Sequence, residues 1–182
     1  MMEFFRAGGV LMWPLLFLSV AALALIVERT LVFRSLSCPT FAPEREAVLS
    51  AFDRAPGYEA FAKALRDGRE ATLLSAGNDI VAQLERRLSV LSVIARLSPL
   101  LGLLGTVFGM IDTFASVASA AGGVEMTQLA DGIWQALITT AAGLSIAIPV
   151  VFVLSLFESQ VRVVAERLNR AADLVLDAGA KE

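Results

Sequence analysis

The chain has no histidine and a single cysteine, and only 18% of its residues are charged. Without an imidazole there is no histidine acid–base pair and no histidine-ligated zinc. Cys38 has no partner for an internal disulfide and no companions for a thiolate metal cluster, so it reads as a small apolar residue. The net charge of −3 comes without a basic stripe, which leaves no electrostatic footprint for nucleic acid. No nucleophile–base pair or metal-ligand cluster stands out either, so no cofactor is expected and an enzyme is the weakest reading.

What is present is hydrocarbon. Hydrophobic residues make up 57% of the 182, and the mean hydropathy is +0.71. Long apolar runs at that level point to a membrane protein. After a short amphipathic start at Met1 to Ala7, Gly8 to Val27 is unbroken and apolar. Ala22-Leu23-Ala24 has the small-x-small look of a signal cleavage site, but the run is longer than a signal core and only Arg6 precedes it. Residues 1–27 are therefore expected to be an N-terminal segment followed by a retained spanning helix, closed by Glu28 and Arg29.

Residues 28–96 are polar and hold ten of the fifteen Lys and Arg residues. Pro43 to Ala55 and Tyr58 to Arg66 read as short helices, separated by the Pro56-Gly57 turn and ended near Gly68. From about Asn78, Ile80, Val81, Leu84, Leu88, Leu91 and Ile94 recur at helical period. No breaker appears before Pro99, so one helix is expected to run into the second span, bent at that proline. Span two covers 97–118, an outer loop 119–131, span three 132–156, and an amphipathic tail helix 157–182. The loop has no Lys or Arg, whereas the tail has four. The positive-inside rule then puts the N-terminus and loop outside and the 28–96 segment and tail in the cytoplasm. The expectation is an all-α membrane protein of three spans, N-terminus out, with helices two and three extended into the cytoplasm.

Span two is unusual for an anchor. Gly102, Gly105 and Gly109 strip one helix face of side chains, and such a face lets another helix approach closely. Span three carries a matching row of small residues at Gly132, Ala136, Thr140, Gly143 and Ala147, with Thr139 turned about 100° away. Polar groups at membrane depth are Thr106, Thr139, Thr140 and Gln135. Thr106 either bonds back to its own helix or serves a passing ion. Asp112 is either an interfacial acid wetted by the loop or a lip that attracts cations. Asp131 suits a helix N-terminus. Deeper than these acids there are hydroxyls and no ionisable group. An ion relay here therefore needs its titrating residue from another chain.

At these residues the chain resembles the ExbB/TolQ/MotA family of ion-driven motor proteins. The likeness is carried by Leu84-Glu85-Arg86-Arg87-Leu88, by Pro99 to Ile111, by Gly132 to Thr140, by Gly143-Leu144 and Ala147-Ile148-Pro149, and by Glu28-Arg29 after span one. Three spans resemble ExbB and TolQ rather than the four-span MotA type. The resemblance implies a homo-oligomer, a pentamer, in the bacterial inner membrane, with spans two and three around a central pore. It implies an ExbD/TolR-type single-span partner whose aspartate takes the ion, an envelope-spanning TonB/TolA-like protein and surrounding lipid. Thr106, Thr140, Thr139, Gln135 and Asp112 would form the ion pathway. Pro99, Leu103, Met110, Ala136 and Gly143 would contact the partner helix. Many ExbB and TolQ relatives have Glu where this chain has Gln135, and proton-type members often have Ala or Gly at the Thr139 position. Two adjacent threonines keep sodium open beside protons. A scaffold that assembles around a partner helix and conducts nothing is the alternative.

Overall fold

The computed structural model describes residues 9–35, 38–119 and 126–179, so the amphipathic start at Met1 to Ala7 lies outside it. Six α-helices and no strand occur among the described residues: α1 Met12–Ser35, α2 Arg45–Asp53, α3 Glu59–Asp67, α4 Glu70–Glu85, α5 Leu88–Ser119 and α6 Met126–Gly179. Three helical stretches are long and apolar enough to cross a bilayer, in α1, in α4–α5 and in α6. Large apolar side chains stay exposed along them, among them Trp13, Phe17, Val20 and Leu23 on α1 and Phe108, Ile111 and Phe114 on α5. Stripes of that size in water would drive association. In lipid they are the expected outer surface. The chain is a multi-pass membrane protein.

Three helix boundaries differ from the sequence expectation. The long helix begins at Glu70 rather than near Asn78, because Gly77 sits inside α4, a position that a helix tolerates at modest cost. The 54-residue α6 already includes 126–131, so that part of the expected outer loop is helical. Helicity continues through Pro99, as expected, and through Pro149, but the expected single helix is interrupted at Arg86–Arg87, where no breaker residue stands.

The chain divides into two compact units. The first joins Met1–Leu25 to Val90–Leu154. In it α5 and α6 run antiparallel, since Thr113 meets Gly132, Gly109 meets Ala136, Gly105 meets Thr139 and Gly102 meets Thr140.

The second unit joins Ile26–Ser89 to Ser155–Glu182. Its core is aromatic. Phe52 packs on Phe41, Tyr58 and Phe61 at centroid distances of 5.6, 5.7 and 5.1 Å. The sequence places Val48 and Phe52 on one face of α2, Phe61 and Leu65 on one face of α3, and Leu73, Ile80 and Leu84 on one face of α4, and all are buried. Gly68 ends α3 in the left-handed conformation, φ 64°, which glycine adopts without a Cβ penalty. Phe33 of α1 stacks on Phe157 of α6 at 5.1 Å. Burial pushes the Cys38 thiol above its ordinary pKa, against the pull of nearby Arg167. Burial likewise raises the Tyr58 hydroxyl, and the neighbouring Cys38 thiol adds to the rise. Glu59 moves the other way because the Gly57 amide donates to its carboxylate at 3.1 Å.

The break at Arg86–Arg87 has a tertiary cause. Arg29 is 5% exposed and its Nη1 donates to the Leu84 carbonyl at 3.1 Å. That carbonyl is the acceptor which an unbroken helix would offer to the Leu88 amide. Arg87, inside the break, pairs with Glu28. A side chain inserted into the helical ladder is a recognised cause of a kink. Arg29→Leu is therefore expected to restore the ladder. Hydrogen exchange at the Leu88 amide should slow roughly tenfold, the equivalent of about one net hydrogen bond. Unchanged exchange there would show that the break has another origin.

Candidate functional site

The glycine face of α5 receives α6 of the same chain. A Cβ built on Gly102 lies 3.1 Å from the Thr140 Cα, and one on Gly109 lies 2.9 Å from the Ala136 Cβ. A Cβ on Gly105 would overlap the Thr139 Cγ2 and stand 2.6 Å from its Cβ. From the α6 side, a Cβ on Gly132 would overlap the Thr113 hydroxyl, and one on Gly143 would stand 2.5 Å from the Ser98 carbonyl oxygen. Each close approach is made where one helix lacks a side chain. Close backbone approach of this kind is how apolar helices associate without a hydrophobic driving force.

The threonine pair is arranged differently from the sequence expectation. Thr140 joins the seam as expected, and its hydroxyl donates across to the Gly102 carbonyl at 2.9 Å. Thr139 is also in the seam, 1% exposed, with its hydroxyl donating to the Gln135 carbonyl at 3.1 Å. Three glycines at helical spacing clear a stripe wide enough for two adjacent residues of α6, so both fit. Thr106 lies half-buried beside the glycine row and donates to the Leu103 carbonyl at 2.7 Å. Its bond is to its own helix, and the lone pairs of its oxygen are not used by that bond.

Toward the α5 C-terminus polar residues of both helices line open space beside the seam. A cavity of about 480 Å³ is lined by Asp112, Thr113 and Ser116 of α5 and by Asp131, Gly132 and Gln135 of α6, among others. A second, of about 210 Å³, shares Gly109, Asp112 and Gln135 with it and reaches Gly105 and Thr139. Val10 and Leu11 form part of its wall, and the Gln135 side-chain nitrogen lies 3.2 Å from a Cβ built on Gly9. Asp112, Gln135 and Thr139 thus come together, whereas Thr106 and Thr140 line neither cavity. Among the expected partner-contact residues, Leu103 is 57% exposed and Pro99 and Met110 are half-buried. Ala136 and Gly143 are buried against α5 of their own chain.

Two participants were missed in the sequence. Thr113 continues the glycine row by four residues and fills the space over Gly132, so its position in that row was a usable signal. Ser98 is fully buried and donates to the Ile94 carbonyl at 2.8 Å, just before Pro99. Nothing in its local sequence marks it.

Among the described residues no group of three His, Cys, Asp or Glu side chains is placed to hold a metal ion. The site offers an antiparallel helix pair with hydroxyls at its seam and a carboxylate-lipped cavity at one end. Lone acids and hydroxyls at membrane depth attract and partly solvate cations.

Known proteins resemble this chain in sequence. An ExbB-like biopolymer transport protein of Synechocystis is 34% identical over 93% of this chain and 74% of its own length. The biopolymer transport protein exbB1 of Vibrio cholerae is 39% identical over 61% of the chain and 47% of its own length. The Tol-Pal system protein TolQ of Haemophilus influenzae is 38% identical over 49% of the chain and 39% of its own length. This chain thus spans less than half of the latter two. Residues 42–170, which carry α5 and most of α6, match the MotA/TolQ/ExbB proton channel family, and the chain belongs to that family.

Proposed function

We propose that this chain is the channel-forming subunit of an ion-driven motor in a bacterial inner membrane, oriented with its N-terminus outward. The observation that carries the reading is the adjoining pair of cavities that brings Asp112, Gln135 and Thr139 together between α5 and α6. Polar groups at that depth are costly unless wet or paired. Water in the cavity offsets that cost and brings a cation toward the threonines. Span residues 97–111 and 132–157 contain no ionisable side chain. By analogy with the family, the proton acceptor is an aspartate on a single-span partner of the ExbD/TolR type, standing in the centre of a ring of five copies of this chain. Thr106, Leu103 and Met110 are the exposed or half-exposed residues of α5 that face this partner. Ion passage turns one component against the other and delivers work to an envelope-spanning protein of the TonB/TolA type.

The favoured ion is the proton, in keeping with the family. Sodium is the runner-up because Thr139 adds a hydroxyl at the end of the smaller cavity. Vesicles reconstituted with this chain and the single-span partner should acidify under an imposed potential at fixed pH, equally with and without sodium. Vesicles holding this chain alone should stay tight. Sodium-dependent flux would reassign the ion. The absence of any flux from the complete assembly would favour the non-conducting scaffold.

A further inference from the structure

Unit two contains a second polar feature that the ion path does not use. Where the extended segment after Cys38 packs on α6, a cleft of about 300 Å³ opens. Arg167 and Arg170, one helical turn apart, and the Thr40 hydroxyl supply its polar lining. Phe41, Leu174 and two prolines make up the remaining wall, and no carboxylate lines it. Arg167 uses one N–H on the Cys38 carbonyl at 3.0 Å, which fixes the segment against the helix. Arg170 is exposed and, among the described residues, forms no ion pair despite Glu166 and Asp173 nearby on its own helix. The cleft is therefore rich in side-chain donors and has no anionic side chain.

We infer that this cleft binds a dissolved phosphate-bearing ligand. Two guanidinium forks and a hydroxyl match the three acceptor oxygens and the double charge of a phosphoryl group. The apolar wall suits whatever body carries that group. A lipid headgroup would offer the same chemistry, but depth argues against it. Glu158 is the first charged residue after the third apolar run. Arg167 and Arg170 lie nine and twelve residues beyond it, about 14 and 18 Å along the helix axis. The headgroup layer adds only about 5–8 Å on each side of the hydrocarbon core. A lipid phosphate does not reach that far, and a soluble one does. This inference rests on the membrane placement of α6 and not on ion conduction.

The test is titration of the purified full chain in detergent with inorganic phosphate, followed by calorimetry and by phosphorus NMR line width. Saturable binding is expected at low salt. It should weaken roughly tenfold in Arg170→Ala, the size of one lost charge-assisted contact. Arg170→Lys should recover part of it, because charge returns without the fork. Arg170 is exposed and bears no packing role, so these variants should melt like the parent. Arg167→Ala should also weaken binding, but it additionally frees the Cys38 segment. Phosphate binding that is absent, or equal in Arg170→Ala, overturns the proposal. So does stabilisation by phosphatidylglycerol that depends on Arg170 while inorganic phosphate has no effect, since that assigns the cleft to lipid.

Discussion

Gly105→Ala is expected to cost about 3 kcal/mol or more, at the upper end of what overpacking costs. That raises the unfolded or misassembled fraction on the order of a hundredfold. The added methyl overlaps the Thr139 Cγ2 and stands 2.6 Å from the Thr139 Cβ. Rotating Thr139 moves Cγ2 but cannot move Cβ, so the helices themselves must part. Parting them also stretches the 2.9 Å bond from Thr140 to the Gly102 carbonyl. Second-site variants separate this account from a general intolerance of mutation. Thr139→Ala in the same chain removes the overlapping methyl but keeps the Cβ, so rescue should be partial. Thr139→Gly removes both and should restore packing, less the helix cost of a glycine of about 1 kcal/mol. Gly143→Ala should be as damaging and beyond such rescue, because its added Cβ stands 2.5 Å from a backbone oxygen, that of Ser98.

Gly77 provides the opposite sign. It lies inside α4, and a Cβ there meets Phe61 at 3.6 Å, an ordinary contact. Gly77→Ala should stabilise by roughly 0.5–1 kcal/mol, since alanine loses less backbone entropy in a helix. Thermal unfolding of each variant in detergent, with assembly checked by mass, reads all of these. A Gly105→Ala protein that melts with the parent would mean that α5 and α6 do not approach through their glycines.

How much of this was legible in one dimension depends on the range of the interaction. Three apolar runs announce three membrane helices because each span is solvated by lipid along its own length. The bare face of span two is legible for the same reason, since helical spacing alone aligns Gly102, Gly105 and Gly109. What fills that face is not local. The helix α6 of the same chain fills it, and its register against α5 decides that Thr139 as well as Thr140 is inside. Helical geometry gives the 100° between those two residues but not the width of the stripe that receives them. The break at Arg86–Arg87 is less legible still. No residue there disfavours a helix. The ladder yields because Arg29, 55 positions away, takes the Leu84 carbonyl. The prolines, by contrast, interrupt nothing: α5 passes through Pro99 and α6 through Pro149 unbroken. The polar cavity combines both ranges. Asp112 and Gln135 were conspicuous singly as polar residues in apolar runs, yet only the antiparallel register brings them to one space.

The sharpest contrast is expected between two threonine-to-valine exchanges of the same shape. Thr140 makes a bond between helices, and Thr106 makes one to its own helix at Leu103. Thr140→Val leaves the Gly102 carbonyl short of a partner and should cost about 1 kcal/mol of stability. Thr106→Val breaks no contact between helices and should change stability by no more than about 0.5 kcal/mol. If Thr106 carries the ion toward a partner aspartate, its loss should lower flux about tenfold or more, which corresponds to ~1.4 kcal/mol of lost ion stabilisation. Thr106→Ser keeps the oxygen and should keep the flux. The ordering of the two variants therefore tells channel from scaffold. In a channel, Thr106→Val is the poorer conductor although it is the more stable protein. In a scaffold that conducts nothing of its own, motor output follows assembly, so Thr140→Val should be the worse of the two and Thr106→Val should behave like the parent. Flux and melting measured on the same preparations, in the presence of the single-span partner, decide between these outcomes.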